Sequence, residues 1–168
     1  MLSYELHRCS AVQLAPVLAP YSAWRYTVGT VEENRLLLEG FWEDLYRLDL
    51  PAAASRFAPD GSYTDEGAMP DDVARGPEEI VKRLTLAFGK LSKLRDERRH
   101  LVAGENVVIT EHVEYWYWPS GEELTLPIVS VHEIHNGQIT RWHDYWNLAL
   151  MLTSAPPEWM AEVAAGWK

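Results

Sequence analysis

The chain is predicted to fold as an α+β domain. The expected shape is a cone, with a strongly curved antiparallel sheet wrapped around about three helices and enclosing one deep pocket. Three features carry that expectation. Helical periodicities come first and strand-like runs last, an order typical of segregated α+β domains. Residues 107–148 hold three apolar, β-rich runs, broken by Pro119-Ser120-Gly121 and by Asn136-Gly137. Asn-Gly between alternating runs is a strong hairpin signal, so three consecutive antiparallel strands are read at about 107–118, 123–135 and 138–148. Lastly, a strand sends residues i and i+2 to one face, and Asp144 shares its face with Trp142 and Trp146. An acid between two tryptophans suits an aromatic-lined cavity better than a solvent face.

The remaining elements follow in chain order. Residues 1–29, punctuated by Pro16 and Pro20, read as an N-terminal arm packing through Leu14, Leu18 and Trp24, or as a tail or subunit-exchange arm. Residues 30–168 read as the single domain. Thr30 and Glu33 have capping-box spacing and open a helix to about Leu48, with apolar positions Val31, Leu37, Leu38, Phe41, Leu45 and Leu48 on its inner face. Asp49 caps a second short helix with Pro51 in its first turn. Pro59-Asp60-Gly61 reads as a turn, and Ser62–Asp65 as a short strand with Tyr63 and Asp65 on one face. Residues 66–76 read as a loop, and Pro77-Glu78-Glu79 opens a third helix reaching about Leu91. Arg95, Arg98 and Arg99 read as a solvated face, while His100 and Leu101 begin a strand leading to a turn at Gly104-Glu105-Asn106. After the strands, Pro156 and Pro157 stop the chain, and residues 158–166 form a short amphipathic helix placed to close one end of the pocket.

Composition narrows the function. The 168 residues suffice for one domain with a substantial core, and 47% are hydrophobic. Eight Trp and eight Tyr against three Phe favour side chains with a polar handle, suited to pockets and interfaces. A net charge of −10 argues against nucleic acid and against an anionic membrane surface. A single cysteine, Cys9, allows no internal disulfide and fits a reducing compartment. No apolar run is long enough to span a membrane and no signal-peptide pattern opens the chain, so a cytoplasmic location is expected.

The candidate cavity gathers three carboxylates, Asp65, Glu114 and Asp144, with the imidazole of His112 two residues before Glu114 on the same face. Carboxylates crowded in a low-dielectric pocket cannot all ionise cheaply, so at least one pKa should rise, giving a proton donor near neutral pH beside an ionised base. A histidine between two acids can bridge them and shuttle protons, and such acids titrate as a group. Tyr63 joins this catalytic set, while Trp142, Trp146, Trp116 and His100 are the candidate substrate-binding residues. No cofactor is required by this chemistry. Glycine-rich phosphate loops and Ser or Cys nucleophile signatures are absent, and no metal site is expected. His132 and His135 differ by an odd number, so a regular strand sends them to opposite faces, leaving Glu133 with His135.

The order of elements, together with LPIVSVHEIHNGQITRWHDYWNL, resembles the nuclear-transport-factor-2-like superfamily in its SnoaL-like and limonene-1,2-epoxide-hydrolase-like branches, over roughly residues 31–150. The resemblance implies the SnoaL-like α+β barrel. It also implies the hydrolases' arrangement, in which one Asp activates water, an Arg bridges two acids, the other Asp protonates the epoxide oxygen, and a Tyr and an Asn hold the water. By motif position the Arg-x-Asp strand falls on His112-Val113-Glu114, Trp-Arg-Asp-Tyr on Trp142-His143-Asp144-Tyr145, and Tyr-x-Asn on Tyr63-Thr64-Asp65. Tyr63 and Asp144 keep the family residue; His112 stands for Arg, Glu114 for Asp and Asp65 for Asn.

The expectation is therefore a cofactor-free acid–base enzyme acting on an apolar small molecule. Epoxide opening by water or by an internal hydroxyl comes first. Asp144 would be the acid, Glu114 the base (or the reverse), His112 the bridge, and Tyr63 and Asp65 the groups positioning the nucleophile. An isomerase or aldol cyclase of a polyketide- or steroid-like substrate uses the same groups. A non-enzymatic ligand-binding or dimerisation module is the other class, separable because it tolerates acid-to-amide changes. A homodimer through the outer sheet face is expected, where parity places Tyr115, Tyr117, Arg141, His143 and Tyr145.

Overall fold

A two-residue type I′ hairpin turn needs positive φ at both central residues. Asn136 (φ 53°) and Gly137 (φ 72°) supply it, so the last hairpin closes tightly and fixes the register of the strands on either side. In the computed structural model, residues 29–68 and 71–166 are described. The arm read at residues 1–29 lies outside them, apart from Gly29.

The elements run α1 (Val31–Tyr46), α2 (Leu50–Ala54), β1 (Phe57–Asp65), β2 (Val73–Arg75), α3 (Gly76–Phe88), β3 (Lys93–Ala103), β4 (Val107–Tyr117), β5 (Glu123–His135), β6 (Gln138–Trp146), α4 (Leu148–Ser154) and α5 (Pro157–Gly166). The six strands form one curved, unclosed sheet in the order β2-β1-β6-β5-β4-β3. The meander β3 to β6 is antiparallel, as expected; β1 joins its edge in parallel to β6, bringing Asp65 level with Asp144. Leu38, Phe41, Trp42 and Leu45 of α1 are fully buried with Val108, Ile139 and Trp142 from the sheet. Each such side chain contributes roughly 1.5–3 kcal/mol on burial. Thr30 and Glu33 form the predicted capping box.

Several boundaries differ from expectation. Pro59-Asp60-Gly61 is not a turn but part of β1, in a register shift between Phe57 and Ser62 that accommodates the missing proline N–H. Within the segment read as a loop, β2 pairs with β1. Helix α3 ends at Phe88, short of Leu91. The basic stretch is a full strand, β3, and α4 is an unexpected short helix. On α1, Val31 is exposed, whereas Asn34 is buried and donates to the carbonyls of Gly104 and Glu105 at 2.9 Å, tying the helix to the β3–β4 turn. Among the described residues no helix is long and apolar enough to cross a membrane.

Leu48 does not continue the inner stripe of α1. It follows the C-cap Arg47 with φ 59°, and Asp49 N–H reaches the Asp44 carbonyl at 3.0 Å while Leu48 N–H reaches Leu45 at 2.8 Å. This is a Schellman ending with leucine where glycine is favoured. The left-handed conformation costs an L-residue roughly 1–2 kcal/mol, partly offset by the smaller unfolded-state entropy of leucine. Leu48→Gly is accordingly expected to raise stability by about 0.5–1 kcal/mol in urea unfolding; a destabilised variant would show that the Leu48 side chain contributes packing that outweighs the strain.

Candidate active site

The inner faces of β1, β4 and β6 put Tyr63, Asp65, Glu114, Trp116, Asp144 and Trp146 around one cavity of about 320 Å³. Leu126 and Ile128 of β5 and Phe88 of α3 complete its walls, and Met151, Leu152, Trp159, Met160 and Val163 of α4 and α5 lie across its mouth. Helix α5 is held there by Trp159 Nε1, which donates to the Ala87 carbonyl at 3.2 Å, and by Lys90 against Glu162 at 2.5 Å. It closes the pocket as the sequence suggested.

Each of the three cavity carboxyls receives an indole N–H. Trp116 donates to Glu114 Oε2 at 2.7 Å, Trp142 to Asp144 Oδ1 at 2.5 Å, and Trp146 to Asp65 Oδ1 at 2.6 Å. Two of these pairs are i,i+2 neighbours on one strand face. The third crosses from β6 to β1 and depends on Gly67, where an added Cβ would lie 2.5 Å from the Trp146 ring. Among the described residues none that lines the cavity is a Lys, Arg or His, so no lining cation among them compensates the acids.

Burial therefore dominates their protonation. It pushes Asp144 up to about 8, against the hydrogen bond from Ser130 and with the charge of Asp65 adding to the rise. It pushes Asp65 up to about 6, against hydrogen bonds from Trp146 and from the backbone of Ala68 and Gly67. Glu114 is also raised by burial, opposed by the charge of His112 and by the Trp116 and Tyr46 donors.

His112 is inward-facing and 1% exposed, but lies behind the cavity wall. Its Nδ1 is 2.9 Å from Tyr46 OH and 3.0 Å from Asp96 Oδ1, and its Nε2 is 3.1 Å from Ser130 Oγ. Tyr46 OH donates onward to Glu114 Oε1 at 3.1 Å, and Ser130 Oγ donates to Asp144 Oδ1 at 2.5 Å. His112 thus connects Glu114 and Asp144, as the sequence suggested, but through two intervening hydroxyls rather than directly. Burial pulls its pKa down, yet the Asp96 hydrogen bond and the charges of Glu114, Asp144 and Asp96 together leave it above the ordinary value.

Two of the expected substrate-binding residues are displaced. Trp142 stacks on Tyr63 at 4.0 Å and on His132 at 5.5 Å, inside the core beneath the cavity, and serves Asp144 as a donor instead of meeting a ligand. His100 is exposed and paired with Glu111 at 2.7 Å on the outer face. The β3–β4 register shifts between Arg98 and His100, so the extra residue reverses the parity and turns His100 outward. His132 is buried with neither ring nitrogen hydrogen-bonded, and burial drives its pKa well down. Glu133 faces the other way, paired with Arg141; His132, Glu133 and His135 do not converge.

Tyr46, Asp96 and Ser130 were not singled out by the sequence reading. Ser130 had a readable signal: along β5 the buried positions run Leu124, Leu126, Ile128, Ser130, His132, Ile134, and a polar residue in that series needs a partner. Tyr46 closes the inner stripe of α1. Asp96 sits in a charged stretch whose strand character was hidden.

Residues 38–142 match the SnoaL-like domain family. Similar solved structures include an LEH-like epoxide hydrolase of M. tuberculosis, 20% identical with a TM-score of 0.61, covering 82% of this chain and 92% of that one. A protein from Jannaschia sp. CCS1 named as a SnoaL-like polyketide cyclase is 14% identical with a TM-score of 0.65, covering 75% and 94%. An NTF2-like protein of unknown function from Burkholderia pseudomallei K96243 is 20% identical with a TM-score of 0.63, covering 72% and 95%. At these identities the likeness shows a shared fold.

The raised Asp144 has a consequence for stability. A carboxyl with a folded pKa above its unfolded value binds a proton that the unfolded chain has released, so stability falls as pH climbs from about 4 to about 8. Asp144→Asn keeps the shape and cannot ionise. Relative to the parent it should gain on the order of 2–4 kcal/mol at pH 8 and show little gain near pH 4.5. Urea unfolding at the two pH values measures this; an equal difference at both would mean that Asp144 titrates normally.

Proposed function

The chain belongs to the SnoaL-like domain family, and on that premise we propose that it is an acid–base enzyme that opens an epoxide on an apolar small molecule without a cofactor. One observation carries the reading: Asp144, raised to about 8, and Glu114 reach the same apolar cavity from strands two apart. The first holds its proton up to about pH 8, and for the second the rise caused by burial is opposed by the His112 charge and by the Trp116 and Tyr46 donors, the groups that would support it as the base.

In this reading Asp144 gives its proton to the epoxide oxygen as the C–O bond breaks. Glu114 takes a proton from the attacking water, whose oxygen forms the new C–O bond, and the product is a diol. Tyr63, whose hydroxyl donates to Asp144 Oδ2 at 3.4 Å, and Asp65 border the place where water and substrate meet. An internal hydroxyl in place of water gives a cyclic ether by the same proton movements. A cavity of about 320 Å³ with aromatic and aliphatic walls suits a compact terpenoid- or polyketide-like skeleton.

A second reading draws on the similar structure named as a polyketide cyclase. There Glu114 removes an acidic C–H proton and Asp144 hydrogen-bonds the carbonyl oxygen. Solvent deuterium appearing in a ketone substrate distinguishes this reaction from epoxide opening.

The test is mass spectrometry in ¹⁸O-labelled water with a panel of apolar epoxides. Wild type should form singly labelled diol, and Asp144→Asn and Glu114→Gln should each lower kcat about 10²–10⁴-fold while remaining folded. Full activity in either variant would remove the mechanism, and an unlabelled isomeric product would indicate an internal nucleophile.

A further inference from the structure

Behind the cavity wall four side chains stand in line. Asp96 Oδ1 is 3.0 Å from His112 Nδ1, His112 Nε2 is 3.1 Å from Ser130 Oγ, and Ser130 Oγ is 2.5 Å from Asp144 Oδ1. Only Asp144 lines the cavity. His112 and Ser130 are sealed inside, at 1% and 0% exposure, while the Asp96 side chain keeps 13%. The first three have the order of an acid–imidazole–hydroxyl nucleophilic triad. Here, however, the hydroxyl is buried and turned onto a carboxyl oxygen, so it has no substrate atom to attack. What this geometry can move is a proton.

We propose that Asp144, Ser130 and His112 work as one general acid, in which His112 replaces through Ser130 the proton that Asp144 delivers, and Asp96 holds the imidazolium. The proposal rests on the acid role given to Asp144 above. Asp144 Oδ2 gives its proton to the substrate oxygen while Oδ1 takes the hydroxyl proton of Ser130, and Ser130 Oγ takes the Nε2 proton of His112. Asp144 stays a neutral carboxylic acid, Ser130 stays a hydroxyl, and imidazolium becomes imidazole. After the product leaves, Glu114 gives the proton it took from the attacking water back to water in the cavity, and that water passes a proton to Asp144 and along the same route to His112, so that carboxylate, carboxylic acid and imidazolium are all restored.

The benefit lies in where charge is left. Direct donation would leave a carboxylate in a cavity that no Lys, Arg or His among the described residues lines. The relay leaves instead an uncompensated Asp96, which touches solvent. The groups facing His112 are consistent with an imidazolium in the resting state. They are Asp96 from β3, Tyr46 from α1, Glu114 on β4 and Asp144 from β6, with His132 of β5 neutral. Ser130 and Asp96 are thus positioning residues that act through Asp144 and His112.

Ser130→Ala, Ser130→Thr and Asp96→Asn test this on an apolar epoxide that the wild type converts. Ser130→Ala should lower kcat about tenfold or more, with KM within about twofold. Ser130→Thr, which restores a hydroxyl, should recover most of the rate. Asp96→Asn should move the basic limb of the pH profile to lower pH. The proton inventory of kcat in mixed H₂O and D₂O should be more strongly bowed for wild type than for Ser130→Ala, which loses the relayed protons but keeps those of Asp144 and Glu114. A Ser130→Ala enzyme with wild-type kcat and an unchanged inventory overturns the relay. Independently of any substrate, His112 ¹⁵N and Asp144 carboxyl ¹³C signals should titrate together in wild type and separately in Ser130→Ala. Separate titration in wild type also overturns it. If wild type opens no epoxide, the spectra still decide the relay and only the epoxide reading is lost.

Discussion

Three carboxyl groups in one largely apolar cavity, each fixed by an indole N–H and, among the described residues, none by a cation lining the cavity, form the constraint on which the rest of the structure depends. An indole can only donate. It aims a carboxyl oxygen as firmly as an arginine would, but it brings no charge, so the cost of burying the anion is left standing. The acids consequently hold their protons to higher pH, and the protein keeps proton donors where an ion-paired design would keep carboxylates. The abundance of Trp follows from the same constraint. Trp116, Trp142 and Trp146 serve the acids, while Trp42 and Trp159 pack beneath and above them. Each donor has to be held at the correct angle by its neighbours, so the core is aromatic and stacked as well as apolar.

Where the inner and outer faces of the sheet alternate regularly, the sequence was a good guide. Asn136-Gly137 fixed one hairpin, and period-two counting then placed Glu114, Asp144 and Trp146 correctly on the inner face of β4 and β6, with Tyr63 and Asp65 correctly paired on β1. Counting failed where the ladder is irregular. The extra residue near Arg99 reversed the facing of His100, and the register shift in β1 disguised Pro59 and Gly61 as a turn. Strand β3 was hard to see because β4 supplies its pairing while most of its side chains face water, leaving no alternation to read. Asp96 was lost with it. Tyr46 and Ser130 were missed for another reason: their importance lies in contacts 66 to 68 and 14 to 18 residues away, which no local pattern encodes.

The substitution of His112 at the position where the resemblance places arginine changes the physics of the site. Guanidinium remains charged throughout any accessible pH range, so it is a fixed counter-ion to the acids it bridges. Imidazole carries its charge conditionally, and here that condition is set by Asp96 and by the acids themselves. The shared fold of the SnoaL-like family fixes where the groups sit, whereas the identity of one side chain decides whether the site holds a fixed counter-ion or a titrating one.

The acids and their indole donors all lie on the sheet, while the mouth of the cavity is built from α4 and α5 at the C-terminal end of the described chain. On the proposed function, proton chemistry and the choice of guest fall to separate parts of the polypeptide. Exchanges at Leu152, Met160 or Val163 alter the outline that a guest molecule must match without disturbing a single hydrogen bond of the acid network. Such an arrangement lets a lineage change the guest it accepts by drift in two helices while the acid network on the sheet is inherited intact.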